Sequence, residues 1–209
     1  MKAPLVVILA GGEGSRIGGG KPFRTLGGER LIDRALRAAH DWSDDVRLAL
    51  RSAGQAGGLD LPVLLDDPGL EGPLAGLASA LAAAGGAGRG LVLTAPCDAP
   101  FLPHELAFRL QEAIGENGAA LAEGAGDLQP ACALWRTGAL ERLPDYLRTG
   151  RRSLLGFAET IGFARVRWGP GHFLNVNTPE DLAEAERRLA SEIKDLDQRS
   201  RRQGGMPRP

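Results

Sequence analysis

The sequence is poor in cysteine and almost neutral, and both features exclude classes of protein. Its two cysteines, Cys97 and Cys132, do not form a C-x-x-C pair, which argues against a disulfide scaffold or a structural zinc site and favours a reducing compartment. The formal net charge is −1, so no overall basic field would attract nucleic acid or an anionic membrane. An anionic ligand would therefore have to be held by local groups.

Long apolar runs are also missing. The run from Leu5 to Ala10 is too short for a signal-peptide core, which needs roughly 7–15 apolar residues, and nothing approaches the roughly 20 residues of a membrane span. We therefore interpret this run as a buried first strand. We expect a cytoplasmic protein that binds neither nucleic acid nor membranes.

Short apolar runs alternate with helical patterns along the 209 residues. The predicted strands are 5–9, 46–50, 63–65, 91–93, 119–122, 132–135 and 164–167. The predicted helices are 31–40, 73–84, 103–114, 138–147, 153–161 and 179–193. This alternation predicts an α/β fold, a single three-layer Rossmann-like domain over residues 1–194 with a mostly parallel sheet. Residues 195–209 contain almost no apolar side chains and are expected to form a disordered tail.

A glycine-rich segment, LAGGEGSRIGGGKP at residues 9–22, follows the first predicted strand, where parallel sheets bind ligands. Its small residues would let backbone N–H groups approach a phosphate chain, and Arg16 and Lys21 would neutralise charge on a triphosphate. It is not a Walker loop, because Ser15 replaces the first glycine and a proline follows the lysine. It is not a complete Rossmann fingerprint either, because Ile17 replaces the third glycine. The alternative is a flexible turn with no ligand.

Two acidic motifs follow later strands. LLDDPGLEGPLAG, residues 64–76, places Asp66 and Asp67 before a helix whose N-terminus would favour an anion; the alternative is two solvated turn aspartates. TAPCDAPFLP, residues 94–103, holds Asp98 between two prolines. A carboxylate on a stiff loop suits Mg²⁺, with phosphate oxygens and waters completing the coordination shell, and the alternative is an Asx-turn aspartate.

A fourth motif, FLNVNTPEDL at residues 173–182, precedes the last predicted helix. Asn175 and Asn177 would project to the same side of an extended segment, although asparagine is also common in turns and caps. Thr178 is a predicted N-cap, with Asp181 three residues on as its capping-box partner.

The four motifs together resemble the molybdenum cofactor guanylyltransferases, which are nucleotidyltransferases with a Rossmann-like fold. In that family the first motif reads roughly L-A-G-G-x-[SA]-x-R-M-G before a short gap and a lysine, and Ile17 stands here where methionine is usual. The third and fourth motifs match P-C-D-x-P and N-x-N-T-P-E-[ED]-L. The resemblance covers about residues 5–190.

One departure from the family lies at the end of the second strand, where its members often carry an asparagine that contacts the nucleotide. This chain has LALR at residues 48–51. The contact is lost, replaced by backbone, or taken by Arg51.

The resemblance implies that GMP is transferred from GTP to Mo-molybdopterin, giving the molybdopterin guanine dinucleotide cofactor and pyrophosphate, with Mg²⁺ as cofactor. It implies that Asp98 binds the metal, and that Arg16 and Lys21 stabilise charge on the α-phosphate and the leaving pyrophosphate. The nucleotide-binding residues that it implies are Leu9, Ala10, Gly11, Gly12, Lys21, Asp66 and Asp98.

Within these motifs, Asp66 matches the nucleotide-contacting aspartate of the family better than Asp67 does. Asn175 and Asn177 would lie near the metal or the acceptor phosphate. Further partners implied by the resemblance are other proteins of molybdenum cofactor biosynthesis or apo-molybdoenzymes.

The nearest alternative is a cytidylyltransferase or a sugar-phosphate nucleotidyltransferase of the same fold. Gly11 gives the L-A-G-G pattern of the guanylyl enzymes, whereas cytidylyl relatives usually read L-A-A-G. A nicotinamide-dependent reductase would need the complete glycine fingerprint. Lys21 and Asp98 argue against a non-catalytic nucleotide-binding module.

Overall fold

The structure of the protein, a computed structural model, describes residues 3–12 and 20–203. The strands are β1 (Leu5–Leu9), β2 (Thr25–Leu26), β3 (Glu29–Arg30), β4 (Val46–Leu50), β5 (Val63–Leu65), β6 (Leu91–Pro96), β7 (Ala119–Gly124), β8 (Asp127–Arg136) and β9 (Phe163–Trp168). The α-helices are α1 (Leu31–Trp42), α2 (Pro73–Gly86), α3 (Leu106–Ala113), α4 (Leu143–Arg148), α5 (Leu154–Ile161) and α6 (Pro179–Gln203). In the part of the chain that the structure describes, no helix is both long and apolar enough to cross a membrane.

Seven of the strands form one sheet in the order β5-β4-β1-β6-β8-β7-β9. Strand β8 runs antiparallel to both of its neighbours, while the other strands are parallel. This confirms the predicted α/β fold with a mostly parallel sheet. The short hairpin of β2 and β3, which lies outside the main sheet, was not predicted, because two-residue strands leave no periodic pattern.

The central strand β1 is buried on both faces, as expected for a parallel sheet covered by helices. Val6 and Ile8 pack into one core cluster with α1 and α3, whereas Leu5 and Val7 pack into a second cluster with α2 and α5. Because successive side chains of a strand point to opposite faces, the two clusters lie on the two sides of the sheet. The chain therefore has three layers.

A third, smaller core joins the elements next to the ligand-binding edge of the sheet. We call it the edge cluster; its buried members are Leu26, Leu31, Phe101, Val176 and Ala185. These residues come from the hairpin, the start of α1, the loop after β6, the segment before α6, and α6 itself. Burying their apolar side chains together ties these distant segments to one another.

Most predicted boundaries lie within a few residues of the structure, but β8 begins at Asp127 and not at residue 132, and three helices also differ. The helix predicted from Pro103 begins at Leu106, because residues 103–105 form a turn in which the Leu106 N–H donates to the Pro103 carbonyl. The helix predicted over 138–147 is a 3-10 helix followed by α4, because Pro144 at the start of α4 has no N–H to extend the preceding hydrogen bonding.

The last helix continues through Gln203, beyond its predicted end at Ile193. Residues 195–203 contain three Arg, two Gln and one Leu, which favour helix without needing a core, so low hydrophobicity was a misleading criterion there. Residues 204–209 of the predicted tail lie outside the described residues, and the division of the chain into domain and tail stays a prediction.

The packing predicts a large difference between two phenylalanines. Phe157 is 0% exposed and its ring lies 6.1 Å from that of Trp135 and 5.5 Å from that of Tyr146, between centroids. We expect Phe157→Ala to lower the free energy of unfolding by about 3–5 kcal/mol. The control Phe108→Ala, at a side chain 63% exposed, should cost less than about 0.5 kcal/mol. Urea unfolding measures both, and similar losses would contradict the packing described.

Candidate active site

A cavity of about 360 Å³ opens at the carboxyl ends of β1, β4, β5 and β6. We call it the edge cavity. All four sequence motifs contribute to its lining, through residues such as Gly11, Lys21, Asp66, Asp98 and Asn177. This is where a sheet of this kind binds ligands, and the four motifs meet there.

Lys21 lines the edge cavity and contacts two of the other motifs. Its ammonium group forms an ion pair with the Asp98 carboxylate and donates a hydrogen bond to Asn177 Oδ1 at 2.6 Å. The side chains of Lys21 and Asp98 are only 13% and 17% exposed. Three motifs that are far apart in the chain therefore meet at one charged group.

Asp98 is held from two sides by backbone hydrogen bonds. The Cys97 N–H donates to the Leu9 carbonyl at 3.2 Å, and the Val176 N–H donates to the Asp98 carbonyl at 2.8 Å. The first bond joins the loop after β6 to β1, and the second joins it to the asparagine segment. The position of the carboxylate is thus set before any ligand arrives.

The two oxygens of the Asp98 carboxylate have different surroundings. Oδ2 contacts Lys21, whereas Oδ1 is buried and has no hydrogen-bond partner among the described residues. A buried carboxylate oxygen without a donor is costly. Within the described part of the chain there is no group of three or more His, Cys, Asp or Glu side chains that could hold a metal. A cation at Asp98 would therefore have to share its coordination with oxygens of a ligand.

Asp66 lies in the wall of the edge cavity and packs against two glycines. A Cβ atom on Gly11 would be 3.0 Å from Asp66 Oδ2, and one on Gly76 would be 3.2 Å from Asp66 Oδ1. Partial burial raises the pKa of the Asp66 carboxyl, and the charge of Arg51 opposes this shift. The two glycines make room for a carboxylate that is partly desolvated.

The Asp67 side chain is directed into a local turn. Its carboxylate accepts a hydrogen bond from the Gly69 N–H at 2.8 Å, which makes it a turn aspartate, the alternative considered for this motif. After this turn, Gly72 adopts a φ of 68° and α2 begins at Pro73. Both of these residues line the edge cavity, so the amino end of α2, which favours anions, faces the same space as Asp66.

Only some residues of the glycine-rich segment line the edge cavity. Leu9, Gly11 and Gly12 line the edge cavity, but Ala10 is buried in the core and its N–H donates to the Ala49 carbonyl at 3.0 Å. The Ala10 amide is therefore occupied by the sheet and is not available to a ligand. Arg16 lies outside the described residues.

Arg51 lines the edge cavity at the end of β4, the position where the related family often has asparagine. Asn175 lines the same cavity, next to Asn177. The wall thus has basic, acidic and amide groups close to Lys21.

An irregularity of β8 adds a part of the wall that lies outside the four sequence motifs. Leu121 of β7 pairs with Ala133 of β8, but the next residue, Ala122, pairs with Gln129. The intervening residues bulge, and four consecutive residues, 129–132, line the edge cavity. A regular strand would present only alternate residues to one side. Pro130 was the available signal, because proline within a strand often marks a bulge.

Neither cysteine in the cavity wall is a nucleophile. Cys97 and Cys132 are both buried, and burial raises the pKa of the Cys97 thiol to about 12, with the nearby Asp98 charge adding to the effect. Burial also raises the pKa of Cys132. Both thiols are protonated at neutral pH, as expected for packed small residues.

The start of α6 holds the asparagine segment. The N–H groups of Asn177 and Thr178 both donate to Asp181 Oδ2 at 2.8 Å, and the Asp181 N–H donates to Thr178 Oγ1 at 3.1 Å. The hydrogen bond from Asn177 is the main cause that lowers the pKa of Asp181. The predicted capping box is confirmed, and it fixes the backbone from which Asn177 reaches Lys21.

The sheet and the site at its edge define the chain as a nucleotidyltransferase. The sequence profile of the MobA-like NTP transferase domain matches residues 6–161. The chain belongs to this family.

Its relatives match over most of their length. A Cereibacter sphaeroides protein named molybdenum cofactor guanylyltransferase is 41% identical over 183 residues, which cover 86% of this chain and 94% of that protein. A Sinorhizobium fredii protein of the same name is 37% identical over 195 residues, covering 86% and 89%. The crystal structure of molybdopterin-guanine dinucleotide biosynthesis protein A from Archaeoglobus fulgidus superposes with a TM-score of 0.72 at 25% identity, covering 91% of this chain and 100% of that one.

The surroundings of Asp66 predict a pH-dependent effect on stability. Because burial raises the pKa of Asp66, the folded state holds a proton there more tightly than the unfolded state, so this group lowers stability as pH rises. Asp66→Asn should therefore melt higher than the wild type at about pH 7, and the gap should close as the pH falls below about 3.9, the ordinary pKa of aspartate.

Thermal unfolding across this pH range measures the effect. Asp67→Asn is the matched control, because its side chain makes a turn outside the edge cavity, and it should show no such gain. A gap for Asp66→Asn that is independent of pH would contradict the desolvated carboxylate.

Proposed function

We propose that the protein transfers GMP from GTP to Mo-molybdopterin, giving the molybdopterin guanine dinucleotide cofactor and pyrophosphate. The observation that carries this proposal is the convergence of Lys21, Asp98 and Asn177 in one cavity at the sheet edge. The names of the relatives support the choice of reaction. The product would then pass to apo-molybdoenzymes or to other proteins of molybdenum cofactor biosynthesis.

The residues present fit Mg²⁺ as the cofactor. Asp98 would hold the ion through its buried Oδ1, which no hydrogen bond within the described residues satisfies, and a hard cation prefers such oxygen ligands. When bound, Mg²⁺ would offset negative charge on the triphosphate. Lys21, now paired with Asp98, would then have a phosphate oxygen as an alternative partner.

The reaction forms a bond between a terminal phosphate oxygen of the pterin and the α-phosphorus of GTP, and it breaks the bond to pyrophosphate. A phosphate monoester, with a second pKa of about 6, is already mostly ionised at neutral pH. No strong general base is needed, which fits protonated thiols at Cys97 and Cys132. Catalysis would rest on positioning and on electrostatic stabilisation of the transition state.

Each group would have a defined role. Lys21 would donate to oxygens of the α-phosphate and the leaving pyrophosphate, with Arg16 as a second cation. Gly11 and Gly12 would offer backbone contacts beside Leu9, and the amino end of α2 would favour the anionic ligand. Asn175 and Asn177 would orient the acceptor phosphate, since both line the edge cavity.

Gly11 supports the choice of guanine. An alanine there, as in the L-A-A-G pattern, would place its Cβ 3.0 Å from Asp66 Oδ2 and 3.1 Å from the Arg51 backbone nitrogen, so Asp66 would have to move. With glycine, the Asp66 carboxylate stays in the cavity wall as an acceptor. Guanine offers N–H donors at both N1 and N2, which a carboxylate can accept together. We propose that Asp66 contributes to nucleotide selection in this way.

The proposed function is tested by pyrophosphate release from each of the four nucleoside triphosphates with Mo-molybdopterin present. GTP should be preferred over CTP by roughly 100-fold or more in kcat/KM, because a site built to hydrogen-bond one base leaves polar groups unpaired with another. Sugar 1-phosphates should not replace the pterin. Equal use of CTP, or turnover only with a sugar phosphate, would reject the proposal.

Asp98→Asn should lower Mg²⁺-dependent turnover by about 100-fold or more, the scale of losing one preorganised electrostatic contact. The substitution keeps the size of the side chain but removes its charge. Titrating Mg²⁺ against turnover measures the effect, while GTP binding in EDTA should survive because a repulsive charge is gone. Asp67→Asn, the turn aspartate, serves as the control and should stay near wild type. An unchanged Mg²⁺ dependence of turnover in Asp98→Asn would show that Asp98 does not bind the metal.

A further inference from the structure

The turn that carries Lys21 is short and has little hydrogen bonding of its own. It is the 3-10 helix Lys21–Phe23, preceded by Gly20 with a φ of 59°. Among the described residues, the backbone bonds of the turn are Phe23 N–H to the Gly20 carbonyl at 2.9 Å and Arg24 N–H to the Lys21 carbonyl at 3.2 Å, and the Leu31 N–H donates to the Arg24 carbonyl at 2.8 Å. This last bond ties Arg24 to the start of α1 but does not reach Lys21, whose placement therefore also depends on side-chain packing.

The packing comes from the ring of Phe23, which lies against the bare backbone of Gly57. A Cβ atom on Gly57 would be 2.6 Å from Cε1 and 3.0 Å from Cε2 of the ring, closer than side chains can approach. The ring also packs against the core on the α1 side of the sheet, and the Arg30 guanidinium lies 5.7 Å from its centroid. Moving the ring away from Gly57 would therefore break other contacts.

Gly57 is itself fixed by a small local structure. It follows the 3-10 helix Ala53–Ala56 with a φ of 58°, and this helix starts with a capping box in which the Ser52 N–H donates to Gln55 Oε1 at 3.0 Å. The loop begins at the end of β4, directly after Arg51, which lines the edge cavity. One loop thus borders the cavity at one end and supports the turn of Lys21 at the other.

We propose that Gly57 and Phe23 are positioning residues for Lys21. The absence of a side chain at Gly57 lets the Phe23 ring seat fully, and the seated ring holds the turn so that the ammonium group two residues earlier reaches Asp98 and Asn177. The expected effect on turnover rests on the proposed function, whereas the effect on the Lys21–Asp98 ion pair does not.

Gly57→Ala tests this, with Gly58→Ala as a matched control. Both glycines have positive φ, 58° and 79°, so alanine strains the backbone at each, but a Cβ on Gly58 would meet nothing within 4 Å. Gly57→Ala should lower kcat/KM for GTP by about 10-fold or more, mainly through kcat. Gly58→Ala should lose only the part of the melting temperature that comes from backbone strain at positive φ, while keeping activity within about 2-fold.

A double-mutant cycle separates positioning from a general structural effect. In a Lys21→Ala background, where the positioned group is gone, Gly57→Ala should change kcat/KM by less than about 2-fold. Phe23→Leu should behave as Gly57→Ala does, and it provides the test if Gly57→Ala does not fold. Equal losses in Gly57→Ala and Gly58→Ala, or fully additive losses with Lys21→Ala, would overturn the inference.

A second cycle needs no substrate. The coupling between Lys21→Met and Asp98→Asn in thermal stability, measured without ligand, should shrink by at least about half in the Gly57→Ala background and stay unchanged in the Gly58→Ala background. If the wild type does not use GTP but the coupling shrinks, the proposed function fails and the positioning role stands. If GTP turnover is as proposed but the coupling is unchanged, the positioning role fails alone.

Discussion

The ion pair between Lys21 and Asp98 is the contact on which the rest of the site depends. Its partners are 77 residues apart in sequence, and the hydrogen bond to Asn177 spans 156 residues. Closing such long loops costs chain entropy, and one partly buried ion pair returns little of that cost, because desolvation opposes its attraction. The closure must therefore be driven by apolar burial, which the edge cluster supplies directly behind the site. Apolar burial brings the loops together, and the charged side chains then meet between them.

The same ion pair explains how an acidic site can exist before its ligands arrive. Asp98 is largely buried, and a buried carboxylate without a counter-charge would be strongly unfavourable. Lys21 provides the counter-charge at one oxygen and leaves the other without a donor among the described residues. The site thus has a stable resting arrangement that leaves one carboxylate oxygen open for the proposed cation. Under the proposed function, its groups would only need to exchange partners to accept a phosphate ligand.

Some features of the site can be predicted from the sequence, whereas others depend on packing and strand register in the folded protein. That the loops carrying Lys21 and Asp98 share one edge follows from strand order, since all parallel strands end at one edge of a sheet, but the contact between the two side chains depends on how the Lys21 turn packs. Choosing Asp66 over Asp67 does not follow, because it depends on which carboxylate the Gly69 N–H captures. The Ala10 N–H is not available to a ligand because it donates to the Ala49 carbonyl. That bond depends on the strand register, which the motifs do not reveal. The Phe23 contact is between loops with no shared pattern, so only packing reveals it.

The cavity wall has two parts, the paired strand ends and the bulge in β8, and they differ in how readily their residues can change. The sheet ladder holds the strand ends that carry Leu9 and Asp98, and any insertion there would shift many paired residues at once. Residues 130–132 have no partner in the described pairings of β8 with β6 and β7. A length change or a new side chain in this segment would leave both registers intact. This part of the cavity wall can therefore change its shape and its side chains without disturbing the strands that position Lys21 and Asp98.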